Sequence, residues 1–255
     1  MLRVSFRVPA AGAEIAGSRL LELAPSGFEE RAAGGLTELG VYTDEAGAER
    51  IRAAFGEQVS TEAVLPGWEE RWRAFHRPVR AGNLWIGPPW EKAPAGDAVV
   101  VVDPGRAFGT GAHPTTRACI ELLSQLDRGS VLDAGTGSGV IAVAAATLGF
   151  EPVFALDVDP DAVEAAGITA RRNGARVRVA HADVLVDELP EADILVANIE
   201  LRVVEALLDR VPAPLAVTAG YLTHERPQVT GWEPVTRVEL DGWAADVLAF
   251  SRERF

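Results

Sequence analysis

Residues 130–139 read Ser-Val-Leu-Asp-Ala-Gly-Thr-Gly-Ser-Gly, and the segment after them, 140-VIAVAAATL-148, carries its apolar residues at helical spacing. A short apolar run ending in Asp133, three glycines at alternate positions and a helix start make a strand, a tight turn and a helix. Open parallel sheets are built from this unit. The first N–H groups of a helix lack partners within it, and glycines let a ligand approach such a turn closely. The spacing here is Gly135-x-Gly137-x-Gly139 behind an acid. A nicotinamide fingerprint needs Gly or Ala where this chain has Val140. An acid before the glycines suits a ligand with a cationic amino-acid end, as in S-adenosylmethionine, better than one presenting a pyrophosphate. A tight turn that binds nothing is the plainer alternative.

Working outward, strands and helices alternate from residue 98 onward, which predicts a doubly wound α/β sheet. Strands are expected at 98–102, 131–134, 153–157, 177–181, 194–199 and 215–221. Helices are expected at 114–126, 160–173 and 201–210, the second stopped by Asn173-Gly174. Two last strands, 233–240 and 243–251, read as a hairpin turned at Asp241-Gly242. Ligands of such sheets sit outside the carboxyl ends of the central strands. Asp157 lies at one of these ends, 18 positions after Gly139, where a carboxylate can accept from both ribose hydroxyls. Asp159 and Asp161 follow at a helix start and read as capping acids. Asp183, after the next strand, can accept from an adenine amino group or be a plain loop acid. Asn198 ends the strand in 193-DILVANIE-200; its amide can hold an incoming amine near a methyl donor, cap the next helix, or both. In 103-DPGRAFGTGAHPTTR-117, His113, Thr115 and Thr116 crowd a helix start. No Gly-x-Ser-x-Gly elbow and no clustered His set is present, so a serine nucleophile and a metal site are not expected.

Residues 1–65 have the order strand, helix, strand, strand, helix, strand, with a hairpin signal at Gly34-Gly35. This is the ferredoxin-like pattern, often a recognition module. Residues 66–96 are rich in Trp and Pro and read as an irregular interdomain linker, with Trp68, Trp72 and Phe75 on one face of a short helix. The domain expectation is 1–65 for substrate recognition, 66–96 for the linker and 97–255 for cofactor binding and catalysis.

Composition bounds the rest. The chain has 255 residues, is 48% hydrophobic and carries a net charge of −13. No basic stripe appears, which disfavours a nucleic-acid partner. An acidic surface favours a basic protein substrate, or serves solubility alone. Cys119 is the single cysteine, so an intrachain disulfide is excluded. No apolar run reaches the ~18 residues of a membrane span, and the first residues lack a secretory apolar core. A cytoplasmic location is expected. A monomer is the expected oligomeric state.

FGTGAHPTT, VLDAGTGSGVIAVAAATLG, LDVDPDAV with RRNG, and LVANI occur in that order and together resemble the ribosomal protein L-eleven methyltransferase family (PrmA type). The likeness spans roughly 60–250 by motif and the first 60 residues by architecture. It implies a class I S-adenosylmethionine-dependent methyltransferase: a Rossmann-like, mostly parallel seven-stranded sheet with a C-terminal antiparallel hairpin, behind a ferredoxin-like domain that grips the substrate. It implies cofactor contacts at Thr116, Gly135, Asp157 and Asn198, beside Asp133, Gly137 and Asp183 read from the loop and strand ends. Asn198 is the expected catalytic residue, and the implied reaction is N-methylation of lysines and of the α-amine of one ribosomal protein. One departure is visible: 209-DRVPAPLAVTAGYL-222 is compressed and lacks the Gly-Gly turn usual there in the family. Two further readings stay open, a lysine methyltransferase with another protein substrate and a cofactor-binding module without catalysis.

Overall fold

The computed structural model describes residues 2–9, 12–24, 27–56, 58–63, 76–104, 111–211 and 213–251. The chain divides into two compact units, 1–75 and 76–255. In the first, β1 (Leu2–Pro9), α1 (Ala13–Leu23), β2 (Glu29–Ala33), β3 (Leu36–Thr43), α2 (Glu45–Phe55) and β4 (Ser60–Ala63) follow in the predicted order. The sheet order is β2-β3-β1-β4 with every neighbouring pair antiparallel, the ferredoxin-like arrangement. Alternation along β1 sends Val4 and Phe6 into a core with Leu20, Leu39 and Ile51. It sends Arg3 and Arg7 to the other face, where both pair with Glu38 at 3.0 and 3.1 Å. Asp44 caps α2 by accepting from the Gly47 N–H at 2.7 Å. Trp68, Trp72 and Phe75 lie outside the described residues.

In the second unit, β5 (Val79–Ala81) and β6 (Leu84–Gly87) form an antiparallel pair, and β6 runs parallel to β7 (Ala98–Val101). This corrects the expectation of an irregular linker across 66–96: residues 79–87 are sheet. The strands escaped notice because each is three or four residues long. Leu84, Trp85 and Ile86 are also all buried, so no alternation marks them. Asn173 completes this small sheet. Its side chain accepts from the Val101 N–H (2.7 Å) and donates to the Val101 carbonyl (2.8 Å), as a neighbouring strand would.

The main sheet follows with α3 (Pro114–Gln125), β8 (Val131–Ala134), α4 (Val140–Leu148), β9 (Val153–Asp157), α5 (Pro160–Arg172), β10 (Val177–His181), β11 (Ile194–Asn198), α6 (Leu201–Leu208), β12 (Leu215–Leu222), β13 (Trp232–Leu240) and β14 (Trp243–Phe250). Its order is β10-β9-β8-β11-β12-β14-β13. The first five strands are parallel and the terminal hairpin is antiparallel. This is the expected Rossmann-like, class I methyltransferase sheet. Leu132, Ala134, Leu195, Val196 and Ala197 are fully buried, as a central strand covered on both faces requires. The order reverses between β8 and β11, and a crevice opens outside the carboxyl ends of strands at such a point. No helix among the described residues is long and apolar enough to cross a membrane.

One glycine in this sheet is obligatory. β12 slips register between Ala219 and Tyr221, and Gly220 between them has φ 102°. A Cβ there would overlap the backbone carbonyl of Ile199. We predict that Gly220→Ala loses about 2–5 kcal/mol of stability, combining backbone strain with overpacking. Urea unfolding measures it; a loss below about 1 kcal/mol would show that the strands part easily here.

Candidate active site

The glycine loop is tied to the neighbouring strand from both sides. The Gly135 and Thr136 N–H groups donate to the Leu156 carbonyl at 2.9 and 3.0 Å. The Gly137 N–H donates to Asp157 Oδ2 at 2.9 Å, and Asp157 Oδ1 accepts from the Asp159 N–H at 3.0 Å. Asp159 in turn caps α5, accepting from the Asp161 N–H, as its place at a helix start suggests. Parallel pairing places Asp157 opposite His181 at the end of β10, and the Ala182 N–H donates to the Asp157 carbonyl. Asp183 follows at once. The ends of β8, β9 and β10 thus bring Gly135, Gly137, Asp157 and Asp183 together. Val158 and Val186, beside the two acids, are 60% and 70% exposed, apolar surface that periodicity alone would have assigned to the core.

Asp133 is placed differently from the sequence expectation of an acid facing the ligand. It is 1% exposed, and its Oδ2 accepts from the Thr136 hydroxyl (2.6 Å) and from the Ala142 N–H in the first turn of α4 (3.1 Å). The carboxylate braces the loop from below and joins it to the helix. Burial pushes its pKa up to about 6 against these two stabilising bonds. A raised folded-state pKa means that the folded chain keeps a proton which the unfolded chain has already released. Stability therefore falls as pH rises from about 4 to about 6 and is level above. We predict that Asp133→Asn abolishes this fall, so that its stability relative to the parent improves on the order of 3 kcal/mol between pH 4 and pH 7.5. Urea midpoints at the two pH values check it; parallel curves for the two proteins would contradict it.

On the other side of the switch point, Asn198 at the end of β11 donates through Nδ2 to Thr116 Oγ1 at 3.3 Å, across 82 residues of chain. Thr116 is 3% exposed in the first turn of α3. That turn is capped by His113, whose Nδ1 accepts from the Thr115 N–H and lies 2.7 Å from the Thr115 hydroxyl. Burial lowers the His113 pKa, which keeps the imidazole neutral at neutral pH. Its ring meets the indole of Trp243 edge-on at 4.9 Å. The residue after Asn198 is wedged: Ile199 presses its carbonyl on Gly220, and its Cγ2 lies 2.6 Å from where a Cβ on Gly135 would stand. Two glycines, one in the loop and one in β12, therefore set the backbone that carries the Asn198 amide. Residues 105–110, including most of the Phe-Gly-Thr-Gly motif, lie outside the described residues.

Comparison with known proteins now bears on this arrangement. The family described as ribosomal protein L11 methyltransferase (PrmA) matches residues 41–225. The chain belongs to this family. A ribosomal protein L11 methyltransferase of Deinococcus radiodurans is 38% identical over 227 residues, covering 82% of this chain and 81% of its own length. One from Pelotomaculum thermopropionicum is 44% identical over 166 residues, covering 62% of this chain and 54% of its own length. The chain thus spans about half the length of that relative. A solved structure, the ribosomal protein L11 methylase of Lactobacillus delbrueckii subsp. bulgaricus, superposes with a TM-score of 0.62 at 24% identity, over 69% of this chain and all of that one. That likeness concerns the fold.

The family match encloses every candidate side chain from Thr116 to Asn198, and the structure brings them to one edge of one sheet. Sequence reasoning missed Ile199 and Gly220 behind Asn198 and Trp243 against His113. The first is signalled only by its place after Asn198. The others become visible once β12 and β14 are known to lie side by side, with Leu222 opposite Trp243. That pairing is anchored by a buried network in which the Tyr221 hydroxyl donates to Asp246 (2.8 Å) and Arg237 donates to both Asp246 oxygens (2.9 and 3.0 Å).

Proposed function

We propose that the chain is an S-adenosylmethionine-dependent protein N-methyltransferase acting on lysine and N-terminal amino groups of ribosomal protein L11. The observation that carries this reading is the Asn198–Thr116 pair, held at the end of β11 and set by Ile199 against the glycine loop. Family membership supports ribosomal protein L11 as the substrate. The residues fit the cofactor. Gly135 and Gly137 allow close approach, Asp157 offers carboxylate oxygens to ribose hydroxyls, and Asp183 offers one to a base amine. Val158 and Val186 give apolar surface for a flat base, and the buried charge of Asp133 favours a cationic end through a short low-dielectric path. When bound, S-adenosylmethionine supplies an already activated methyl group.

The chain's own part is positional. The Asn198 Nδ2 is spent on Thr116, which turns Oδ1 toward an incoming amine as an acceptor. An amine accepted there is held with its lone pair free for attack. A lysine amine, with a solution pKa near ~10.4, must first lose a proton, and desolvation beside a cation lowers that pKa. No side chain here is assigned as the base; water takes the proton. Alignment supplies most of the acceleration. The ferredoxin-like unit is read as the substrate grip, and the net charge of −13 favours encounter with a basic protein. A cytoplasmic location accords with the proposed ribosomal protein substrate. The test is incubation of separated large-subunit ribosomal proteins with the chain and methyl-labelled cofactor. Label confined to L11 supports the reading, label on a different protein moves the substrate, and no label on any of them overturns the activity.

A further inference from the structure

Asp183 is carried not by a strand but by the turn after β10, yet reading a base amine requires a carboxylate held to a fraction of an ångström. The turn 183–187 is closed from inside by its own acids. Asp183 Oδ1 accepts from the Leu185 N–H (2.9 Å), Asp187 Oδ2 accepts from the Asp183 N–H (2.8 Å), and the Asp183 carbonyl accepts from the Val186 and Asp187 N–H groups (3.0 and 2.8 Å). The outward carbonyls converge on one side chain. Arg210, just past α6, donates through Nη1 to the Leu185 carbonyl (2.6 Å) and through Nη2 to those of Val186 (2.9 Å) and Asp187. One guanidinium thus spans three successive carbonyls of the turn. A planar fork of five donors can do this; an ammonium, a single point of charge, cannot fix three directions at once.

We infer that Arg210 is a positioning residue for recognition of the adenine base: it acts through the 183–187 turn to hold Asp183 where it accepts from the base amine. This rests on the cofactor reading proposed above and deepens it. Arg210 also lies two residues past the end of the helix that begins three residues after Asn198. The helix that starts at the acceptor side of the site therefore leads to the clamp for the base side.

The test uses the full chain and two ligands, S-adenosylhomocysteine and its analogue in which the 6-amino group of the base is replaced by oxygen. Calorimetry gives the ratio of their affinities. The parent protein should prefer the adenine ligand by about tenfold, the worth of one hydrogen bond to a charged group. Arg210→Met and Arg210→Lys should bring that ratio to within about twofold of unity. They should leave the apparent KM for the protein acceptor unchanged. Since Arg210 is exposed, both variants are expected to fold, and far-ultraviolet circular dichroism checks it; if the Met variant does not fold, the Lys variant decides. Variants that bind both ligands more weakly but keep the full preference show a merely structural role and overturn the inference alone. A parent that binds both ligands equally removes the Asp183 contact and the inference with it. A parent that binds neither overturns the cofactor reading itself.

Discussion

Replacing Asn198 by alanine should lower kcat about a hundredfold while leaving cofactor affinity within about twofold of the parent. The expectation follows from where the amide is held. Nδ2 is fixed on Thr116 Oγ1, and the backbone behind it is clamped by the fit of Ile199 between Gly135 and Gly220. Alanine keeps that backbone and deletes the acceptor. An amine that is no longer oriented spends most of its time misaligned, and loss of alignment by about an ångström is worth about two orders of magnitude. The proposed ribose and base partners, Asp157 and Asp183, lie at the end of β9 and in the turn after β10, across β8 from Asn198, so affinity should not follow. Steady-state rates with calorimetry separate the two quantities. Equal losses in kcat and affinity would make Asn198 a cofactor ligand only. Thr116→Val, which removes the partner but keeps the shape, should give a smaller loss of the same kind.

Asp157→Ala should have the opposite signature: cofactor affinity lower by about a hundredfold or more, with kcat at saturation changed by less than about fivefold. Two hydroxyl donors to one carboxylate are each worth about 1.5–3 kcal/mol, and the same carboxylate now holds the Gly137 N–H and the start of α5 through Asp159. Removing it takes away a ligand partner and loosens the loop around it. Asp157→Asn retains an acceptor for Gly137 and should fall between parent and alanine. A variant of normal affinity would show that Asp157 serves the loop alone, and the ribose would then need another partner.

Much of the fold is legible in the sequence because the deciding elements carry strong local signals. The Gly135–Gly139 run punctuates a strand and a helix. Asp157 and Asn198 each end an apolar run, and Pro114 and Pro160 open helices where the fixed φ of proline is tolerated. What was not legible has a common cause. β5 is only three residues long and β6 is buried throughout, so a period of two does not show in either. The inward turn of Asp133 depends on Thr136 and Ala142 accepting one rotamer, which spacing cannot reveal. The fit of Ile199 between two glycines and the contact of Trp243 with His113 arise from elements far apart in the chain. So does the clamp of Arg210 on the 185–187 carbonyls: an exposed arginine past a helix end has no local signature, and only the fold brings it to the turn.

The central claim, methyl transfer to amines of ribosomal protein L11 oriented by Asn198, is tested most directly by intact-mass spectrometry of purified L11 incubated with this protein and S-adenosylmethionine. The account predicts mass gains in successive single-methyl steps that fall to a small fraction with the Asn198→Ala variant over the same time. Normal calorimetric binding of the cofactor together with an unchanged L11 mass would contradict it.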